Sequence, residues 1–349
     1  MNLNQAAATV YCPPKAPAPW RLEDLLPDVP LRYFSFARRA LASGLRAAKV
    51  SRGDKVLVPE FVCRDLLSSI AAVGAEPVFY PVNRALAPAT DPKDWPKARA
   101  IIAVNFFGFP ADLSPFQRYK ELTGALIVED NAHGLFSRDE RGALLGARAD
   151  LGIFSLRKTL ALPNGAALAA TGKGGDWGLE PQSPFAKAGL RSLVKSSART
   201  IAGLAGAKAA LGALNGLRRL RQLKSGSRLP PGDPASEKFL PGPELPCAQL
   251  AQPLRLSSPS LETARRRALY ELVGKEISAL GLQPVFPHLP PAVVPQGFPF
   301  RLDERRHDEA FTRLARLGFE PMSWPDLPSA VASTAPEHYR GIYLVYFLW

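Results

Sequence analysis

Cysteine, histidine and long apolar runs are the scarce commodities of this 349-residue chain. Its three cysteines, Cys12, Cys63 and Cys247, are scattered and odd in number, which argues against a disulfide framework and for a reducing compartment. The four histidines form no Cys/His cluster with metal-ligand spacing, so no metal is expected. No stretch reaches the roughly 18 uncharged apolar residues that a membrane span needs. The opening MNLNQAAATVYCPPK lacks a charged segment followed by an apolar one, so a secretion signal is not expected either. These absences predict a cytoplasmic protein, peripheral at most to the inner membrane surface. What is present is ordinary for a globular chain, with 46% hydrophobic and 21% charged residues and length enough for two domains.

The most informative stretch runs from Leu126 to Ala167. Leu126, Ile127 and Val128, bounded by turn residues, read as a buried strand that delivers Glu129, Asp130 and His133 at its carboxyl end, where open α/β sheets bind ligands. A second short strand, Leu151 to Phe154, ends at Ser155; Lys158 follows three residues on, before a turn with Pro163, Asn164 and Gly165. An acid after one strand and a Ser-x-x-Lys after a later one suit pyridoxal 5'-phosphate (PLP). A lysine amine forms a Schiff base with its aldehyde if cationic or apolar neighbours keep it partly unprotonated, and Arg157 is adjacent to the candidate, Lys158. A carboxylate facing the pyridine nitrogen keeps that nitrogen protonated and the ring an electron sink, a task for Asp130. A strand-end hydroxyl, Ser155, can bond the phosphate.

Taken as a set, GDKVLVPEFVC (53–63), GAEPVFYPVN (74–83), NFFGFPADL (105–113), VEDNAHG (128–134), GIFSLRKTLALPNGAA (152–167) and RRRALYELV (265–273) resemble the DegT-like (DegT/DnrJ/StrS) sugar aminotransferases, a branch of fold-type I PLP enzymes. The likeness runs from about Tyr33 to Trp324 and fades between Gly172 and Leu245. It implies an α/β fold, a mainly parallel seven-stranded sheet domain plus a small α+β C-terminal domain. Residues 1–30 would be an arm, 31–245 the large domain and 246–349 the small one. The resemblance places an aromatic near the cofactor ring, here Phe61 with Cys63 beside it, and His133 near the ring. In the family a Gly-Thr at a helix start holds the phosphate; Ala37-Arg38 stands there, with Arg38 able to supply charge to the same group. Asn105 takes a place often held by histidine, a departure bearing on substrate more than cofactor. The Ser323-Trp324-Pro325 turn would approach substrate, and a homodimer is implied.

Taken in order, residues 1–30 are rich in proline and are expected to wrap the surface as an arm, with Pro13, Pro14, Pro17 and Pro19 too close together for helix. Helical spacing runs from Ser35 to Lys49, with the helix starting near Phe36. Lys55 to Pro59 reads as a strand, Phe61 to Val73 as the helix after it, and Val78 to Tyr80 and Ile101 to Val104 as further strands, the alternation of a mainly parallel sheet covered on both faces. Residues 226–247 read as linker. A strong helix spans Leu261 to Leu280, with Arg265, Arg266 and Arg267 expected on a solvated or ion-paired face. The closing IYLVYFLW reads as a buried strand.

Between Pro181 and Gly232 there is no acidic residue at all, against ten lysines and arginines that supply +10 of the net +13. Lys187, Arg191, Lys195 and Arg199 recur at helical spacing opposite Leu190, Leu193, Val194, Ile201 and Leu204, describing a basic amphipathic helix. Three readings stay open for the insertion: a solvated face, a lid for an anionic nucleotide-sugar substrate, or attachment of residues 187–228 to an anionic membrane surface. Nucleic acid is disfavoured, since no aromatics interleave the charges.

The expected activity is a PLP-dependent aminotransferase moving an amino group from an amino-acid donor to a keto-sugar, expected to be nucleotide-linked, for polysaccharide or cell-surface sugar synthesis. A PLP-binding sensor without turnover, or a PLP enzyme of another reaction type on the same fold, are the alternatives.

Overall fold

Short runs of Val, Ile, Leu and Ala between turn residues become the central strands of the computed structural model, which describes residues 15–172, 177–187, 233–242, 244–256, 258–316, 319 and 321–347. The elements up to Ala170 are β1 (Lys15–Trp20), β2 (Leu31–Phe34), α1 (Ala37–Ala47), β3 (Lys55–Pro59), α2 (Leu67–Ala71), β4 (Glu76–Tyr80), β5 (Ala100–Val104), α3 (Ser114–Thr123), β6 (Leu126–Asn131), β7 (Leu151–Phe154) and β8 (Ala166–Ala170). All but β1 of these strands form one seven-stranded sheet in the order β2-β8-β7-β6-β5-β3-β4. Strands β3 to β7 run parallel; β8 lies antiparallel to β7, and β2 antiparallel to β8. Every residue of β5 and β8 is buried, as a sheet covered on both faces requires. Close packing is built into the small residues: a Cβ on Gly152 of β7 would lie 1.7 Å from the carbonyl oxygen of Gly146, so the turn before β7 can rest on the strand only because that side chain is missing.

The second layer follows from β9 (Leu254–Leu256) through α4 (Pro259–Ala279), β10 (Gln283–Pro284), β11 (Gly297–Arg301), α5 (His307–Arg316), β12 (Pro321–Ser323), α6 (Ser329–Ala332) and β13 (Ile342–Tyr346). Here β10-β11-β13-β12 make a four-stranded antiparallel sheet. Helix α4 starts where Ser258 Oγ accepts the Leu261 N–H at 3.2 Å and Pro259 supplies a first residue that needs no donor. It buries Leu269, Val273 and Ile277 in a core that runs unbroken from Val56 and Ile102 under the large sheet to Phe298 and Val345 of the small one.

The α/β architecture with its mostly parallel seven-stranded sheet and small C-terminal sheet is the expected one. Several boundaries differ. The N-terminal arm is not featureless, since β1 pairs antiparallel with β9. The helix expected over Phe61 to Val73 is shorter: Phe61 to Cys63 stay irregular, Arg64–Leu66 form a 3₁₀ turn and α2 covers Leu67–Ala71. The cause is tertiary, because Phe61 is buried among aromatic rings and the Arg64 N–H donates to Asp326 O at 2.8 Å. Strand β6 runs on through Asn131, and β13 is the buried interior strand that the closing apolar run implied. The basic amphipathic helix, apart from Lys187, lies outside the described residues, as does Cys12. Among the described residues no helix is long and apolar enough to cross a membrane, and no cluster of His, Cys, Asp and Glu could hold a metal ion.

Candidate active site

The carboxyl ends of β3, β5, β6 and β7 lie side by side and open into the turns that carry Phe61, Phe106 and Phe107, Asp130 to His133, and Ser155 to Lys158. Parallel pairing brings them together, with Asp130 opposite Ile153 and Val104 opposite Asp130 in neighbouring strands. After β7 the chain makes a single 3₁₀ turn, closed by Lys158 N–H to Ser155 O at 3.1 Å, which turns Lys158 back over the sheet edge.

Lys158 Nζ meets His133 Nε2 at 3.0 Å. The other ring nitrogen, Nδ1, receives the backbone N–H of Phe107 at 3.1 Å. A backbone N–H only donates, so Nδ1 is bare and the ring proton is on Nε2. An Nε2–H directed at Lys158 finds an acceptor only if the amine is neutral, since an ammonium has donors alone. Burial, the larger cause, holds His133 well below its ordinary value, the direction a neutral ring requires. Burial likewise lowers Lys158, with Arg157 acting in the same direction and Asp130 opposing it. The Cys63 thiol beside the lysine is pushed up to about 11 by burial.

Asp130 and Glu129 are neighbours on β6 and point to opposite faces of the sheet. Glu129 is fully buried, pairing with Arg148 at 2.7 Å and accepting Asn105 Nδ2 and the Arg148 backbone N–H at 2.8 and 2.9 Å. Asn105, read from sequence as bearing on substrate, is instead buried in this network, where its Oδ1 also accepts the Ala111 N–H at 2.9 Å. Asp130 is half-buried and accepts one backbone N–H, from Ala132 at 2.9 Å. Burial raises its carboxyl above the ordinary value, against the pull of that N–H and of Lys158.

A cationic corner adjoins the lysine. Arg157 is half-buried, its guanidinium 5.5 Å from the Phe36 ring centroid, and burial together with the nearby Arg38 lowers its pKa. Arg38 pairs with Asp65 at 3.1 Å. The N-terminus of α1 has no side-chain cap from Phe36, and the preceding Ser35 is buried with its Oγ lacking a partner among the described residues. Two guanidiniums, uncapped helix N–H groups and an orphan hydroxyl fit a phosphate better than any neutral group.

Phe61 is buried within an aromatic group, its ring 5.6 Å from Phe106, 5.2 Å from Trp324 and 5.4 Å from Tyr339. The rings against His133 are Phe107, stacked at 6.0 Å, and Trp324, edge-on at 5.5 Å. Sequence reasoning missed Phe107, whose role is a backbone one, and Arg266. The arginines at 265 and 266, expected on a solvated or ion-paired face, are both buried and both pair with the buried Glu262. Burial lowers Arg266 to about 10 in spite of that carboxylate. The spacing of Glu262 three and four residues before the arginines was the one available signal.

Residues 34–175 match the DegT/DnrJ/EryC1/StrS aminotransferase family. Over this span the chain is similar to that family. The matched DegT-family segment contains Arg38, Phe61, Asp130, His133, Ser155, Arg157 and Lys158. The UDP-N-acetyl-3-dehydro-alpha-D-glucosamine 3-aminotransferase of Acidithiobacillus ferrooxidans is 32% identical over 120 residues, 33% of this chain and 32% of that protein, so the chain matches about a third of its curated relative. Among solved structures, Spr1654 of Streptococcus pneumoniae in its PLP form superposes with a TM-score of 0.57 at 15% identity, covering 100% of this chain and 92% of that one. The aminotransferase TlmJ of Streptoalloteichus hindustanus gives 0.56 at 19% identity, covering 98% and 85%. At these identities the likeness is one of fold, and it covers both sheets.

Proposed function

We propose that this chain is a PLP-dependent aminotransferase that passes an amino group from an amino-acid donor to a nucleotide-linked keto-sugar. The observation that carries the reading is the 3.0 Å meeting of Lys158 Nζ with His133 Nε2, beside an under-bonded Asp130 at the carboxyl edge of the sheet. The family match and the activities of the named relatives support the reaction and the sugar class.

Lys158 would hold the cofactor aldehyde, Asp130 its ring nitrogen, and Arg157, Arg38 and Ser155 its phosphate, with His133 beside the ring and Phe61 behind His133's aromatic neighbours. When bound, PLP supplies an electrophilic carbonyl and an electron sink. The chain's own part is to keep Lys158 Nζ neutral, so that it can attack and later take up and return a proton at that nitrogen. Asp130 supplies negative charge that favours a protonated pyridine; with such a cation opposite, its own carboxyl falls back towards the ionised state. Trp324 and Phe107 close the far side of His133 against water.

The test is spectroscopic. The full chain mixed with PLP acquires a visible band from lysine-bound cofactor, and added L-glutamate converts that band to the aminated form. A band that no amino acid alters would assign the chain to a sensing role without turnover. A homodimer is part of the proposal, on the ground that fold-type I sites usually lie at a subunit boundary; sedimentation at one subunit mass removes it. Attachment of residues 187–228 to anionic membranes is checked by flotation with phosphatidylserine vesicles.

A further inference from the structure

Helix α4 belongs to the second layer, yet one of its side chains reaches the turn that carries the reactive lysine. The Arg266 guanidinium, 1% exposed, donates to Lys158 O at 3.3 Å and Thr159 O at 3.1 Å through Nη2, and to Pro295 O and Gln296 O at 3.1 Å each through Nη1. Its Nε pairs with Glu262 at 2.6 Å. From Gln296 the bonding continues. The Gln296 N–H donates to Phe107 O at 2.9 Å, and the Phe107 N–H to His133 Nδ1 at 3.1 Å, which leaves Nε2–H for Lys158 Nζ at 3.0 Å. Lys158 is therefore gripped twice by one guanidinium, directly at its carbonyl and through Gln296, Phe107 and His133 at its amine.

We infer that Arg266 is a positioning residue that closes a hydrogen-bonded ring around Lys158, holding the His133 Nε2–H against the lysine amine and so fixing that amine in its neutral, nucleophilic form. The geometry requires an anchor of this kind. Phe107 sits at φ +57°, a left-handed conformation costly for a residue with a side chain, and Gly108 follows at +94°. A peptide held there presents its N–H to His133 only while something fixes the other side of the turn, and the Gln296 N–H on Phe107 O does so. Five donors in a rigid plane let a single arginine serve both strands of the ring, which the shorter reach of a lysine ammonium cannot do. A fully buried guanidinium needs all of these acceptors, so the ring is held by the same forces that make the arginine tolerable in the core.

The inference rests on reading Lys158 as the reactive amine, but its test needs no cofactor, so the two can fail separately. The full chain, stripped of carbonyl compounds with hydroxylamine, is labelled with a small amine acylating reagent across a pH series, and acylation of the Lys158 peptide is followed by mass spectrometry. A hydrogen bond donated to the neutral amine favours that form, so its loss raises the labelling midpoint. Arg266→Met shifts the midpoint up by about one pH unit, and Arg266→Lys, which keeps a charge for Glu262, by a smaller amount in the same direction. His133→Phe gives the same shift, and adding Arg266→Lys to it moves the midpoint no further. The other groups facing Lys158, namely Asp130, Cys63, Asp65 and Arg157, and Tyr346 behind the last of these, are unchanged in every variant. Arg266→Lys that melts earlier but labels at the parental midpoint would overturn the inference, as would shifts that add in the double variant. Should Arg266→Met not fold, Arg266→Lys and the double variant still decide.

Discussion

Glu129 and Asp130 are consecutive carboxylates on one strand, and the sheet has treated them oppositely. Glu129 is met by Arg148, by Asn105 and by a backbone N–H, and is sealed from solvent. Asp130, turned the other way, receives one N–H, stays half-buried and has its carboxyl raised by burial. The pair teaches where to look for a ligand. An acid whose needs are met by the protein holds the fold, whereas one left short of donors beside a depressed lysine is the place to test for a cation from outside.

The contrast can be broken first at the lysine. Lys158→Ala should abolish covalently held PLP altogether, read as loss of the visible band after gel filtration, while the circular dichroism spectrum is unchanged. A surviving band would remove the basis for reading Asp130 as its partner. The next largest effect belongs to Glu129. Glu129→Ala strips Arg148 of its buried partner, leaving it the looser 3.6 Å pair with Asp139, and should cost about 3 kcal/mol in denaturant unfolding, with cofactor attachment by the folded fraction unaltered. Asp130→Asn should reverse that pattern, weakening PLP binding about tenfold or more with unfolding stability equal to or above the parent, because a disfavoured carboxylate has been neutralised. Equal stability losses at the two acids would erase the distinction drawn here.

A smaller effect sharpens it. Asp130 is raised in the folded chain from an ordinary value of 3.8, so its contribution to stability is fully present below that pH and lost as pH rises through the folded value. The melting temperature of Asp130→Asn should therefore match the parent in acid, gain on it as pH climbs through that window, and stay level above. A gain that shrinks with pH would mean the carboxylate is stabilised, not strained.

How much of this could be read beforehand depended on which atoms do the work. Strand β7 was legible residue for residue from LGIF, and so was the placing of Asp130, Ser155 and Lys158 at the carboxyl ends of β6 and β7. The family resemblance supplied the seven-stranded sheet. Phe61 was legible as an aromatic of the β3 turn, but not that Phe107 and Trp324 would be the rings on His133, which depends on how the second sheet docks. Three successive arginines near the start of a strong helix read as a solvated or ion-paired face, and the ion pairing is there with Glu262; only the folded chain brings carbonyls from residues 158, 159, 295 and 296 to one of them. The bond from Asn105 to Glu129 was not legible, because it joins residues 24 positions apart.

The links at positions 107 and 296 consist of peptide atoms alone, and that has an evolutionary consequence. The hydrogen bonds of this connection do not depend on which side chains stand at 107 and 296, provided position 107 tolerates its left-handed twist and 296 avoids proline, although both side chains are buried and are held by packing of their own. A deep mutational scan would read the packing of these side chains and miss the peptide link. Only backbone chemistry, such as an ester installed in place of the amide N–H at residue 107, would cut the circuit while leaving every side chain in place.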